Sequence, residues 1–233
     1  MSEKILITGA CGFIGSHLAE LCVNEGFNVV AFDRYNSNNH WGWLEDSNFN
    51  RDMEIILGDI RDYDSVNKAM EGCDNVFHLA ALIGIPYSYT SPLAYIRTNI
   101  EGTYNILESS KNKNISQLIV TSTSETYGTA NYTPIDENHS ISSQSPYAST
   151  KVAADQLSIS YHKSFELPVK IARPFNTYGP RQSARAIIPN IITQLLSNEK
   201  YIKVGNINTY RDFNYVTDII EGMYQISKKK IFD

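Results

Sequence analysis

Tyr147 and Lys151 stand four residues apart in SPYASTK, a stretch that reads as the start of a helix. Pro146 takes its N1 position, and the helix runs to about Phe165, with Val152, Leu157 and Tyr161 able to face inward. That spacing puts Tyr147 and Lys151 on one face. A tyrosine, with a free pKa of about 10, is a poor base at neutral pH. An ammonium alongside and a cationic ring above both favour the phenolate and lower that pKa. Tyr147 could then take a hydroxyl proton as a hydride leaves the same carbon. Tyr-x-x-x-Lys also arises by chance, and an exposed helical pair is the plain alternative. A strand from Gln117 to Thr121 opens into the other candidates. Thr123 can hydrogen-bond the reacting hydroxyl and share its proton with Tyr147. Glu125 is a carboxylate suited to proton removal, or else a surface loop glutamate. Ser124 between them is too weak an acid to protonate a leaving group unaided.

A departing hydride needs an acceptor, and the N-terminal stretch KILITGACGFIGSHL offers it a place. Ile5, Leu6 and Ile7 read as a strand buried on both faces, and Ser16 to Ala19 begins a helical pattern. The glycine turn between them, Gly9, Gly12 and Gly15, makes an anion site from unpaired N–H groups and the positive helix end. In that role Gly9 allows the tight turn, Gly12 lets a pyrophosphate approach, and Gly15 lets helix and strand pack closely. Three glycines can also mark an ordinary turn. A second strand, Asn28 to Phe32, ends at Asp33, an acidic residue about 20 positions beyond the turn and placed to hold an adenosine ribose. A carboxylate there repels a 2′-phosphate, which favours NAD over NADP. Arg34 beside it pulls the other way, because an arginine can serve that phosphate.

Further strands read at Met53 to Leu57, Asn75 to Leu79 and Val169 to Ala172, with helices at Asp62 to Met70 and, as one long element, Pro92 to Ser110. Ile96, Ile100, Tyr104 and Leu107 would face inward on the long helix. The Asn- and Ser-rich loop from Tyr35 to Arg51 is expected to fold over the adenine side of a cofactor. Alternation of strands with helices, without hairpin signals, predicts a Rossmann-like, doubly wound parallel α/β sheet, with substrates over the carboxyl ends of the strands. The patterning changes after Arg173. Residues 1–174 are thus expected to form a cofactor-binding domain. Residues 175–233 would begin a substrate region, with a helix at Ala186 to Leu196, a short strand at Tyr201 to Val204, and a helix at about 217–226 returning to the first domain.

The formal charge is -5, with no basic block except Lys228 to Lys230, which argues against a nucleic-acid surface and leaves a solvated helix end. Hydrophobic content of 42% and charged content of 19% suit a globular chain. Met1-Ser2-Glu3 leads directly into the first strand without the form of a signal peptide, and no apolar run approaches a membrane span. Cys11, Cys22 and Cys73 show no pairing pattern, and the five histidines no ligand spacing. The expectation is a cytoplasmic protein with reduced thiols and no metal.

Taken together, TGACGFIGSHL, HLAA (His78 to Ala81), STSETYG (Ser122 to Gly128), SPYASTK (Ser145 to Lys151), RPFNTYGPRQ (Arg173 to Gln182) and RDFNYV (Arg211 to Val216) resemble the extended short-chain dehydrogenase/reductase family. The closer likeness is to its NAD-dependent nucleotide-sugar epimerases and dehydratases, and it covers almost the whole chain. The resemblance implies that Gly9, Gly12, Phe13, Ile14 and Gly15 cradle the pyrophosphate and Asp33 holds the ribose. Asp59 and Ile60 would flank adenine, and Ala80, Ala81 and Lys151 would contact the nicotinamide half. Leu79, Asn99, Ser122, Tyr147 and Pro174 complete the implied cofactor set. Thr123, Asn176, Arg181 and Arg211 would bind substrate, Asn176 and Arg211 through its nucleotide diphosphate, although either arginine could instead cap a loop.

Members share oxidation at sugar C4 and then diverge into epimerisation, 4,6-dehydration or decarboxylation. Simple 4-epimerases usually lack a glutamate at the Glu125 position. Familiar hexose 4,6-dehydratases carry an aspartate before it, where this chain has Ser124, and Thr-Ser-Glu is also similar to glucuronate decarboxylases. The context AALIGIPYSY (Ala80 to Tyr89) and STSETYGTA looks most like 4,6-dehydratases of N-acetylated sugars in nonulosonic-acid pathways. Dehydration is therefore the first expectation and decarboxylation the second. A binding module without chemistry should lack the tyrosine–lysine pair and the arginines. The family also implies a homodimer and a chain that continues beyond residue 233 to finish the substrate region.

Overall fold

The structure, a computed structural model, describes residues 2–197 and 200–229. Lys230, the last of the expected lysine run, and Ile231 to Asp233 lie outside them. Six parallel strands form the central sheet: β1 (Lys4–Thr8), β2 (Asn28–Arg34), β3 (Met53–Gly58), β4 (Asn75–His78), β5 (Gln117–Thr121) and β6 (Val169–Ala172). Their order is β3-β2-β1-β4-β5-β6. The sheet is the parallel, helix-flanked one that the sequence predicts.

Alternate residues of each strand feed opposite cores, which is why the strands read as unbroken apolar runs. Ile5, Ile7, Val29 and Ala31 enter one core with α1 (Phe13–Asn24), while Leu6, Val30 and Phe32 enter the other. The second core is covered by α2 (Tyr63–Ala69), α5 (Gly102–Asn112) and α6 (Pro146–Phe165) through Val66, Ile106, Leu107 and Tyr161. Between β4 and α5 lie the short α3 (Ile85–Thr90) and α4 (Pro92–Tyr95). Beyond β6 come β7 (Asn176–Tyr178), α7 (Ile187–Leu196), β8 (Phe213–Tyr215) and α8 (Val216–Lys228). Helix α8 returns to the first core, where Val216, Ile220 and Met223 pack with α1.

Four expectations need correction. The long helix from Pro92 is interrupted by a π-helical turn over Ile96–Glu101, and its extra residue rotates the helical turns beyond it. Ile96 and Tyr104 face solvent, while Tyr95, Asn99 and Thr103 are buried. Tyr201 to Val204 is not a strand; β7 pairs in parallel with β8 instead. Helix α6 stands where the sequence places it, but Val152 and Leu157 are only partly buried, and the helix turns a polar face inward that buries Thr150, Lys151, Asp155 and Ser158. The loop from Tyr35 to Arg51 packs on α1 and the back of the glycine turn, with Trp41, Leu44 and Phe49 joining that core. Trp43 donates its backbone N–H to the Cys11 carbonyl at 3.0 Å.

Candidate active site

A cleft of about 970 Å³ opens over the carboxyl ends of the strands, at the top of the parallel sheet. Its floor begins at the glycine turn. Gly9 has φ +72°, and a Cβ there would lie 2.8 Å from the Ala80 nitrogen. A Cβ on Gly15 would lie 2.1 Å from the Gly9 carbonyl oxygen, so helix and turn pack backbone to backbone. No side chain caps α1, and Gly12, Phe13 and Ile14 at its start line the cleft. Its first N–H groups are thus presented to a ligand. Gly15→Ala is expected to cost about 1–3 kcal/mol of stability through overpacking. It should also abolish NAD binding; urea unfolding and titration calorimetry read the two effects.

Asp33 is pinned where β2 ends. Its Oδ2 accepts the Cys11 N–H at 2.7 Å and its Oδ1 the Arg34 N–H at 2.7 Å. The carboxylate is thereby held at the rim of the glycine turn. Asp59 and Ile60 line the same end of the cleft. Arg61, which the sequence reading missed, clamps the Asp59 carboxylate through Nε at 2.9 Å and 3.1 Å. Its hydrogen bonds hold the Asp59 carboxyl below the usual carboxylate range.

Leu79, Ala80 and Ala81 line the middle of the cleft. A buried relay fixes them. The Ala80 N–H donates to Thr8 Oγ1 at 3.2 Å, Thr8 lies 2.7 Å from His78 Nδ1, and His78 Nε2 lies 3.1 Å from Thr103 Oγ1. Burial pushes His78 down to about 3, so the ring is neutral. His78 belongs to the HLAA motif, but nothing in the sequence assigns it this role.

The chemical end of the cleft holds Thr123, Glu125, Tyr147 and Lys151 together. Thr123 caps the tight turn Ser124–Thr126, its Oγ1 accepting the Glu125 N–H at 3.2 Å. The Tyr147 hydroxyl shares a hydrogen bond with Thr123. Ser145 caps α6 by accepting the Ala148 N–H at 3.0 Å, which sets where Tyr147 points. Lys151 donates to the Thr121 carbonyl at 2.6 Å. The expected lowering of the phenol is not what the protein alone imposes. Burial pushes Tyr147 up to about 12, with Thr123 opposing and Glu125 adding to the rise. Burial pushes Lys151 down to about 8, with Asp155 opposing. The hydroxyls of Thr121 and Ser122, both lining the cleft, find no hydrogen-bond partner among the described residues. Free hydroxyls there, the glycine cradle and the pinned Asp33 fit a dinucleotide.

The remaining predicted residues divide between the cleft and its surroundings. Pro174 and Asn176 line the cleft. Ser124 does not; its N–H donates to the Pro174 carbonyl at 3.1 Å, tying the Glu125 turn to the exit of β6. Asn99 is buried behind the cleft, where its side chain accepts the Leu82 N–H at 2.8 Å and donates to Thr150 at 3.0 Å. It braces the wall and does not line it. Arg181 turns away onto α1, bonding Glu20 at 2.8 Å and Ser16 at 3.1 Å, which is the loop-fixing alternative. Arg211 is exposed outside the cleft, although its neighbour Asp212 accepts the Asn176 N–H at 3.1 Å. Among the described residues no cluster of His, Cys, Asp or Glu could hold a metal, and no helix is long and apolar enough to cross a membrane.

Comparison with known proteins gives this geometry a family. A dTDP-D-glucose 4,6-dehydratase of Dictyostelium discoideum is 35% identical over 97% of this chain, which spans 56% of that protein's length. The structure of a UDP-N-acetylglucosamine 4-epimerase from Methanobrevibacter ruminantium, in complex with UDP-N-acetylmuramic acid, superposes with a TM-score of 0.90 and 31% identity, covering 100% of this chain and 75% of that one. A UDP-glucuronic acid 4-epimerase from Bacillus cereus, in complex with UDP-glucuronic acid and NAD, gives 0.87 and 33%, covering 98% and 74%. The sequence matches the family described as GDP-mannose 4,6 dehydratase across residues 6–233, and to that family of extended short-chain dehydrogenase/reductases the chain belongs.

Proposed function

We propose that this chain carries the NAD site and the reacting residues of an enzyme that modifies a nucleotide-linked sugar through a 4-keto intermediate, with 4,6-dehydration of an N-acetylated hexosamine as the outcome. The observation that carries this reading is Glu125 lining one cleft with Thr123, Tyr147 and Lys151. Bound NAD supplies a hydride acceptor at C4 and returns the hydride later. Gly12, Phe13 and Ile14 would hold its pyrophosphate, Asp33 its adenosine ribose, and Ala80, Ala81 and Lys151 its nicotinamide half.

The chain's own residues then divide the proton work. Tyr147 takes the proton of the C4 hydroxyl, with Thr123 bonded to the same oxygen. Glu125 removes the C5 proton, made acidic by the neighbouring ketone, and it or a water serves the C6 hydroxyl that leaves. Asn176 would engage the nucleotide diphosphate. A second reading, decarboxylation of a glucuronate, is favoured by Ser124 standing where familiar dehydratases carry an aspartate.

The test is incubation of the protein with NAD and a panel of nucleotide sugars, read by mass spectrometry. Loss of water from an N-acetylhexosamine substrate supports dehydration. Loss of carbon dioxide from a glucuronate replaces it by the second reading. An unchanged mass with inverted C4 stereochemistry overturns both.

A further inference from the structure

A buried carboxylate and a partly buried guanidinium beside the reacting residues have no part in the proton transfers above. Asp155 sits on α6 one turn beyond Lys151, on the same face, and its side chain is 2% exposed. Arg173, just past β6, meets it with Nε and Nη2, both 3.0 Å from Oδ2. The same guanidinium donates to the Tyr127 hydroxyl at 3.1 Å and lies 5.3 Å from the centre of that ring. Arg173 therefore joins three segments: α6, the end of β6, and the turn that carries Thr123 and Glu125.

A buried ion pair is a poor way to gain stability alone, since apolar groups of similar volume often serve as well. This one is also incomplete, because Asp155 Oδ1 makes no hydrogen bond among the described residues. Buried polar atoms left without a partner are uncommon and call for a reason. One turn earlier on the same inward face of the helix stands Lys151, a buried ammonium hydrogen-bonded to the Thr121 carbonyl, and the Asp155 charge acts on it across that face.

The groups around Lys151 leave little else to support its charge. From β4 comes His78, neutral and buried. On α6 itself Tyr147 is a phenol whose proton burial holds more tightly. From the end of β5 come the Thr121 carbonyl and, on the side of Asp155, the uncharged Ser122 hydroxyl. Arg173, from the end of β6, engages the carboxylate through Oδ2 and is itself bonded to the Tyr127 hydroxyl. Among the described residues Asp155 is the carboxylate that acts on Lys151.

We propose that Asp155, anchored by Arg173, is a positioning residue: its carboxylate, one helical turn away on the same buried face, keeps the Lys151 ammonium charged against the Thr121 carbonyl, while the pair with Arg173 ties the helix of Tyr147 to the turn of Thr123 and Glu125. This rests on reading Lys151 as part of the reacting site. Its test measures proton affinity without substrate or NAD, so either reading can fail while the other stands.

Linkage gives the sign of the effect. Lys151 binds its proton less tightly in the folded protein than in the unfolded chain, and Asp155 limits that deficit. Removing Asp155 therefore adds a penalty that is absent well above the folded pKa of about 8 and grows as the pH falls below it. The experiment compares urea unfolding of wild type and Asp155→Asn at about pH 7 and about pH 9.5, alone and in a Lys151→Met background. The stability gap between the two proteins should be wider at the lower pH, reflecting a roughly tenfold loss in the proton affinity of Lys151. In the Lys151→Met background the gap should no longer depend on pH.

A gap equal at both values, as a merely structural pair would give, overturns the proposal. So does a pH dependence that persists without Lys151. Should Asp155→Asn not fold, Asp155→Asn/Arg173→Gln removes both members of the pair and carries the same comparison.

Discussion

Tyr147→Phe is expected to lower turnover by about 10³-fold or more while leaving NAD affinity in place. The substitution removes one oxygen. The ring keeps its buried setting, including an edge contact with Tyr95 at 6.4 Å between centroids, so the wall of the cleft is preserved. What is lost is the proton acceptor hydrogen-bonded through Thr123. The protein alone holds that phenol up near 12, because burial opposes the phenolate and Glu125 adds a like charge. Making it a base at neutral pH therefore requires positive charge brought next to it, and Lys151 together with a bound cationic ring is where this would come from. Steady-state kinetics with the substrate found by mass spectrometry, beside calorimetric NAD titration, checks both halves. An active Tyr147→Phe protein would remove this residue from the mechanism.

Glu125→Gln should stop the reaction after its first half. The amide preserves size and can still hydrogen-bond, but it cannot take a carbon-bound proton. Oxidation at C4 would proceed and elimination would not, with overall turnover reduced roughly 10²–10⁴-fold. The reduced cofactor should then accumulate and be visible by its absorbance. A fully active variant would rule out the carboxylate as the base. Equal loss of both half-reactions would assign Glu125 to substrate placement instead.

Much of the site is legible in the sequence because its parts obey short-range rules. The strand of Ile5 to Ile7, the glycine turn and Asp33 at the tip of the next strand are fixed by local spacing, and the cleft forms above them. Tyr147 and Lys151 follow from a four-residue helical spacing, and Ser145 caps that helix as expected of a residue before Pro146. Long-range pairings resist such reading. Arg181 looks like a phosphate ligand in RPFNTYGPRQ, yet Glu20, 161 positions earlier, takes its guanidinium. Asn99 sits in a π turn, whose phase shift no regular helical pattern reveals. Arg61 differs: it lies two residues from Asp59, and that spacing could have flagged it.

The relay beneath Ala80 has a direction. Thr8 Oγ1 accepts the Ala80 N–H and lies against His78 Nδ1. Thr103 already donates to the Asn99 carbonyl at 2.7 Å, so it can only accept from the opposite ring nitrogen. The imidazole is locked as the Nε2–H tautomer, an acceptor on one edge and a donor on the other. A second ring proton would oblige the Thr8 hydroxyl to turn its hydrogen elsewhere, and burial already opposes that proton. Mild acid thus leaves the bed under Ala80 unchanged.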